Sequence, residues 1–175
     1  MPPNQQEFWL SGPVPDIDDF LQPVAHALLQ ADREIREMMT GFPDKLLEER
    51  PAQCASPAFH LLHIPGVIDR LFTYAQGKPL DEQQLRYLRE ETITDAGHTT
   101  AELVSAIQLA VHNALEFLRQ VSRESLTEMR YVGRKKIPST TIGLLFHCAE
   151  HTMRHTGQLL VTVRVLLSNH TPASA

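Results

Sequence analysis

Hydrophobic residues recur along this chain at the three-to-four-residue spacing of α-helices in four long stretches. In the first, Leu21, Val24, Leu28, Ile35 and Met38/Met39 fall broadly on one stripe, with Asp32, Arg33, Glu34, Arg36 and Glu37 clustered away from it. A helix is expected from Asp16 to about Thr40, starting near Gln22 or bending at Pro23, and stopped by Gly41 and Pro43. The second stretch opens with Ser56 as N-cap and Pro57 at the first helical position. It is apolar almost all round from Phe59 to Tyr74, the mark of a buried inner helix, and ends at Gly77. Pro65 lies inside it and predicts a bend just after His63. The third follows a capping box, Thr99-x-x-Glu102, and carries Leu103, Ile107, Val111, Leu115, Leu118 and Val121. The fourth is capped by Ser139 or Thr140 and runs to about Leu167.

Between the second and third stretches, Leu80 to Glu91 reads as a short polar connecting helix. Residues 123–138 read as irregular, and strand-like alternation is not seen. The fold class that follows is all-α, a four-helix bundle with a short extra helix between helices 2 and 3. The expected organisation is an N-terminal arm over residues 1–15, a single bundle domain over 16–168 and a tail over 169–175. Phe8, Trp9 and Leu10 in the arm are expected to pack on the body or on a partner chain.

Inside the fourth stretch His147, His151 and His155 recur every fourth residue. A four-residue step advances an α-helix by about 400°, so successive rings stand roughly 40° apart and about 6 Å along the axis. A pair at that spacing can reach one ion through imidazole nitrogens, whereas His147 and His155 are separated by about 12 Å of rise. A metal held here needs a ligand from elsewhere in the chain. The second stretch offers His60 and His63, and His63 has the better claim, since it precedes the predicted bend and lies deeper in the apolar segment. Two imidazoles from one helix and one from another leave an open position for water or substrate. Glu150 precedes His151 by one residue, about 100° around the helix, so the HExxH arrangement of zinc proteases and its base are missing. His26 is expected to be a buried histidine satisfied by a carbonyl, and His112 to face water.

Composition narrows the classes. The 175 residues suit one domain, with 42% hydrophobic and 21% charged residues. A net charge of −5 argues against nucleic acid as a partner. The longest uncharged apolar-rich run, Ile137 to Ala149, is too short to span a bilayer, so no membrane association is expected. The N-terminal sequence lacks the features of a signal peptide, and Cys54 and Cys148 form no disulfide framework. Cytoplasm is the expected compartment. Arg134, Lys135 and Lys136 read as a solvated loop. No phosphate-binding loop, nucleophile elbow or internal repeat occurs.

His60-Leu61-Leu62-His63-Ile64-Pro65-Gly66, then Asp69-Arg70-Leu71-Phe72-Thr73-Tyr74-Ala75, together with Glu150-His151-x-x-Arg154-His155-x-Gly157-Gln158, resembles the DinB-like superfamily. The likeness extends from about Trp9 to Leu167. It implies a four-helix bundle holding a divalent metal ion, zinc or nickel, on one histidine of the second helix and two of the fourth. Position by position these are His63, His151 and His155, and His147 has no counterpart. Pro65 departs from the small residue the pattern would place there. Relatives of this kind include low-molecular-weight-thiol S-transferases and a mycothiol-dependent maleylpyruvate isomerase, and they often form homodimers. The resemblance thus implies a small-molecule substrate, thiol-dependent transferase chemistry and a low-molecular-weight thiol as cofactor or substrate. Two alternatives stand beside it: a metal-assisted hydrolase using a bound water, and a non-catalytic, stress-associated metal-binding bundle.

Overall fold

Residues 6–92 and 97–170 are described by the computed structural model. The first five residues of the predicted arm, the last five of the predicted tail and residues 93–96 lie outside them. Among the described residues there are five α-helices: α1 (Gln22–Met39), α2 (Pro57–Ala75), α3 (Glu82–Glu90), α4 (Thr100–Leu118) and α5 (Thr141–His170). A hairpin of β1 (Met129–Val132) and β2 (Ile137–Thr140) precedes α5.

The helix starts are set by the side chains that satisfy their first backbone donors. Ser56 accepts from the Phe59 amide at the head of α2, with Pro57 next in the chain. Asp81 and Gln84 form a reciprocal capping box for α3, as do Thr99 and Glu102 for α4. Thr140 Oγ1 accepts from the Gly143 amide at the start of α5. α1 begins at Gln22, with Pro23 in its first turn where a missing donor is harmless, and a 3-10 turn at Asp19–Leu21 stands before it. Of the two expected alternatives, a start near Gln22 or a bend at Pro23, the first is the one observed. α5 continues three residues past Leu167, to His170.

α5 packs against α1 and α2, and α4 packs against the same two helices from the other side. The order around the bundle is α1, α5, α2, α4, so α1 and α2, consecutive in sequence, stand diagonally opposite. The 17-residue link between them carries Leu46 and Leu47 into the core. Leu28 and Ile35 from α1, Leu61 and Ile64 from α2, Ile107 and Leu118 from α4, and Leu145, Leu159 and Leu166 from α5 fill the centre. α3 folds back on α2.

The segment before α1 docks through one of the three expected residues. Phe8 lies under the Arg33 guanidinium, 4.6 Å from carbon to ring centre, and its amide donates to Gln30. Trp9 and Leu10 are exposed. His26 bonds the Gly12 carbonyl at 3.0 Å, as expected, though it is only half-buried. His112 is exposed.

Residues 129–140 depart from the irregular segment expected there. Met129 pairs with Thr140 and Val132 with Ile137 in antiparallel register, and Arg134, Lys135 and Lys136 form the exposed turn with Gly133 at φ +65°. Four-residue strands, one containing Pro138, are too short to display a period of two. Arg130 ties the hairpin to the body by donating to the Ala75 carbonyl at the end of α2, at 2.7 Å.

Leu145 is fully buried on α5, whereas Val161 on the same helix is largely exposed. Leu145→Ala is expected to lower unfolding free energy by about 2–5 kcal/mol in urea titration. Val161→Ala should stay within about 0.5 kcal/mol of wild type. Equal effects of the two substitutions would contradict this placement of α5.

Candidate metal centre

α2 and α5 lie side by side, and four imidazoles meet in their seam: His60 and His63 from α2, His151 and His155 from α5. His151 Nε2 lies 3.1 Å from His63 Nε2 and 3.1 Å from His155 Nε2. One ring nitrogen from each of His63, His151 and His155 falls within 4.8 Å of the other two, with all three residues half-buried. Ligands about 2.0–2.1 Å from a tetrahedral zinc stand about 3.3 Å from one another, so the observed separations suit a shared ion. The chemistry of the donor set agrees, since neutral imidazole is a borderline ligand for zinc and nickel. Sequence reasoning had joined these three residues, and the fold brings them together.

The far nitrogens of two of the rings are engaged. His63 Nδ1 lies 3.0 Å from Glu91 Oε1, and the carboxylate also accepts from Arg70 Nη1 at 2.9 Å and Nη2 at 3.2 Å. A proton on His63 Nδ1 donated to Glu91 leaves the Nε2 lone pair facing His151 and His155. His155 Nδ1 meets His60 Nδ1 at 2.9 Å, which fixes the His155 ring in the same sense. His60 is thus a neighbour of the cluster rather than a member of the triad. It is also the more deeply buried of the two α2 histidines. Phe59 stacks on His63 with ring centres 5.2 Å apart, closing one side.

Glu91 and Arg70 were not singled out by sequence reasoning. Glu91 reads as one more charge in Arg89-Glu90-Glu91, and only the return of α3 onto α2 buries it. Arg70 did carry a signal, because a guanidinium inside an otherwise apolar helix requires a carboxylate. Gly66 carried another. A Cβ there would stand 2.6 Å from Tyr87, 2.7 Å from Arg70 Nη1 and 2.8 Å from Glu91 Oε2, so the ion pair nests on a bare stretch of α2 backbone. α2 runs unbroken through Pro65, and the Tyr87 hydroxyl donates to the Leu62 carbonyl at 2.7 Å nearby.

Burial pushes His60 down to about 4, with the neighbouring His63 adding to it. Burial likewise pushes His155 down to about 3, reinforced by His63 and His151, and lowers His151. Burial alone would raise the Glu91 carboxyl, but the hydrogen bonds from His63 and Arg70 outweigh it and hold it below the ordinary carboxylate range. Neutral imidazoles beside an ionised carboxylate are the protonation states a cation needs. Cys148, although adjacent to His147 in sequence, is fully buried and its thiol is pushed up to about 12, which removes it as a ligand or nucleophile. Glu150 bonds His147 and Arg154 and stands outside the triad. A surface cleft of about 520 Å³, lined by Asp69, Phe72, Gln84, Tyr87 and Phe117 among others, includes none of the four histidines.

A helical bundle with a histidine cluster between two of its helices defines the class of protein. Residues 27–159 match the family model of the DinB superfamily, and the chain belongs to that superfamily. A crystal structure of a Streptococcus pneumoniae protein superposes with a TM-score of 0.64 at 14% identity, covering 88% of this chain and 93% of that one. YfiT from Bacillus subtilis, described as a probable metal-dependent hydrolase with an unusual four-helix bundle topology, superposes with a TM-score of 0.61 at 14% identity, covering 89% and 93%. No curated protein sequence matches significantly. Among the described residues, no helix is long and apolar enough to cross a membrane.

The lowered histidines fix a sign for pH dependence. In the unfolded chain His60 and His155 take up protons near 6.5, but in the folded chain only near 4 and 3. Metal-free protein is therefore expected to hold its full stability above pH 6.5 and to lose it steadily as pH falls from 6.5 towards 4. The lowered Glu91 contributes in the same direction below its ordinary 4.5. Urea midpoints across this range test it, and a midpoint that stays flat or rises on acidification would contradict the buried neutral cluster.

Proposed function

We propose that the chain is a metal-dependent enzyme whose divalent ion, zinc or nickel, is held by His63, His151 and His155, and whose reaction is a thiol-dependent transfer. The single observation that carries this reading is the approach of the three Nε2 atoms to 3.1 Å along two of their edges. Three protein ligands leave a further coordination position, the arrangement of catalytic rather than closed structural sites. Bound there, such an ion supplies Lewis acidity that lowers the pKa of a thiol or water entering that position.

The chain's own residues do the rest. Glu91 holds the His63 ring by its Nδ1 proton, and Arg70 keeps Glu91 ionised and in place. His60 turns the His155 ring towards the triad. Both Glu91 oxygens are occupied by Arg70 and His63, so this carboxylate is not free to take a proton from a substrate at the triad. With its pKa lowered by a bound ion, a thiol would lose its proton to solvent without such a base, which favours transfer over base-assisted hydrolysis. The reacting thiol comes from outside: Cys148 is sealed in the core, and the exposed Cys54 does not join the cluster of His63, His151 and His155. Hydrolysis of a small molecule through water in the open position is the second reading, favoured by the description of YfiT. A small-molecule substrate and a homodimer belong to this reading through the family resemblance, together with a cytoplasmic setting. The exclusion of nucleic acid and membrane as partners accords with the acidic charge and the absence of an apolar spanning helix among the described residues.

Elemental analysis of protein purified without a histidine tag should find about one equivalent of tightly held ion, with His63→Ala losing most of it. His112→Ala and His170→Ala should retain it, since His112 is exposed and His170 pairs with Glu49 far from the triad. The loaded protein should then turn over a small electrophile only in the presence of a low-molecular-weight thiol. Bound metal with ester hydrolysis and no thiol dependence would replace the transfer reading with the hydrolytic one.

A further inference from the structure

The outermost member of the histidine ladder takes no part in the centre above. His147 is exposed, and its Nδ1 lies 2.7 Å from Glu150 Oε1. Ring nitrogens of His147 and His151 and a carboxylate oxygen of Glu150 fall within 4.8 Å of one another. The three stand at i, i+3 and i+4, on one face of α5. The Glu150 carboxylate is divided between neighbours: Oε2 accepts from Arg154 at 2.6 Å, and Oε1 faces His147. Arg154 thereby orients the group without occupying the oxygen turned to the histidine.

His151 supplies an independent observation. Its Nε2 is committed to the triad, 3.1 Å from both His63 and His155. Its Nδ1 is buried and has no hydrogen-bond partner among the described residues. Histidines that ligate metals almost always engage the far nitrogen, as His63 does with Glu91 and His155 with His60. His151 is the exception. A buried donor without an acceptor is costly, and a cation at that nitrogen would account for it.

We infer that His147, Glu150 and the second ring nitrogen of His151 form a further site for a divalent transition-metal ion, with the His151 ring shared between this site and the triad. Two imidazoles and one carboxylate are a zinc-type donor set. Binding there displaces the proton of His151 Nδ1 to water, leaving the ring to ligate through both nitrogens. His147 and Glu150 are more exposed than the triad and lie on a single helix, so this site fills after the first and holds its ion more weakly. The inference rests on the triad reading only for the shared ring.

Zinc titration of the metal-stripped full chain against a competing chelator tests it. Wild type is expected to take up two equivalents, the second more weakly than the first. His147→Ala and Glu150→Gln should each retain the first equivalent and weaken the second at least about tenfold, and His63→Ala should lose the tight equivalent and keep the weaker one. A wild type that binds a single equivalent overturns the proposal, as does a second equivalent undiminished in the His147→Ala/Glu150→Gln double variant. Failure of the triad reading has a different signature, a tight equivalent that survives His63→Ala.

Discussion

The close packing of α2 against α5 is the constraint on which everything else in the site depends. It brings His63 from one helix within 3.1 Å of His151 on the other, across 88 residues of sequence. Neither helix holds three converging imidazole nitrogens on its own. α5 contributes a pair one turn apart, and α2 contributes the ring that completes the triangle. Leu61 and Ile64 from α2 and Leu145 and Leu159 from α5 are buried in one apolar core, and close packing there fixes the separation of the two helices.

That seam creates an electrostatic problem together with its solution. Burial lowers the pKa of His151 and of His155, which leaves these two imidazoles open to a cation. Burying the Glu91 carboxylate would be unfavourable alone, and Arg70 is drawn into α2 to pair with it. The result is a chain of contacts from Arg70 through Glu91 to His63 that passes from the α2–α3 junction into the triad. Gly66 allows α3 to sit close enough for this chain to form. The short helix predicted merely as a connector therefore leads into the residue that orients one of the three candidate ligands.

Much of the fold could be read from the sequence because its signals are local. Ser56-Pro57, Thr99-x-x-Glu102 and the apolar periods that follow encode helix starts and faces within a few residues of themselves. The four-residue histidine ladder is equally local and marks His147, His151 and His155, of which the family resemblance selects the last two. The order of helices around the bundle was not legible, since it depends on a long link that sends α2 to the far side of α1. Glu91 was hidden for the same reason: its burial comes from a fold-back and from no pattern in its own neighbourhood. The hairpin escaped because its pairing is made by backbone groups in strands of four residues.

The most direct test is where an ion sits when the protein is given one. Crystals of the zinc-loaded chain, measured at the zinc absorption edge, should show an anomalous peak about 2.0–2.1 Å from Nε2 of His63, His151 and His155 together. A strongest peak elsewhere, with the three rings bonded only to one another, would contradict the account.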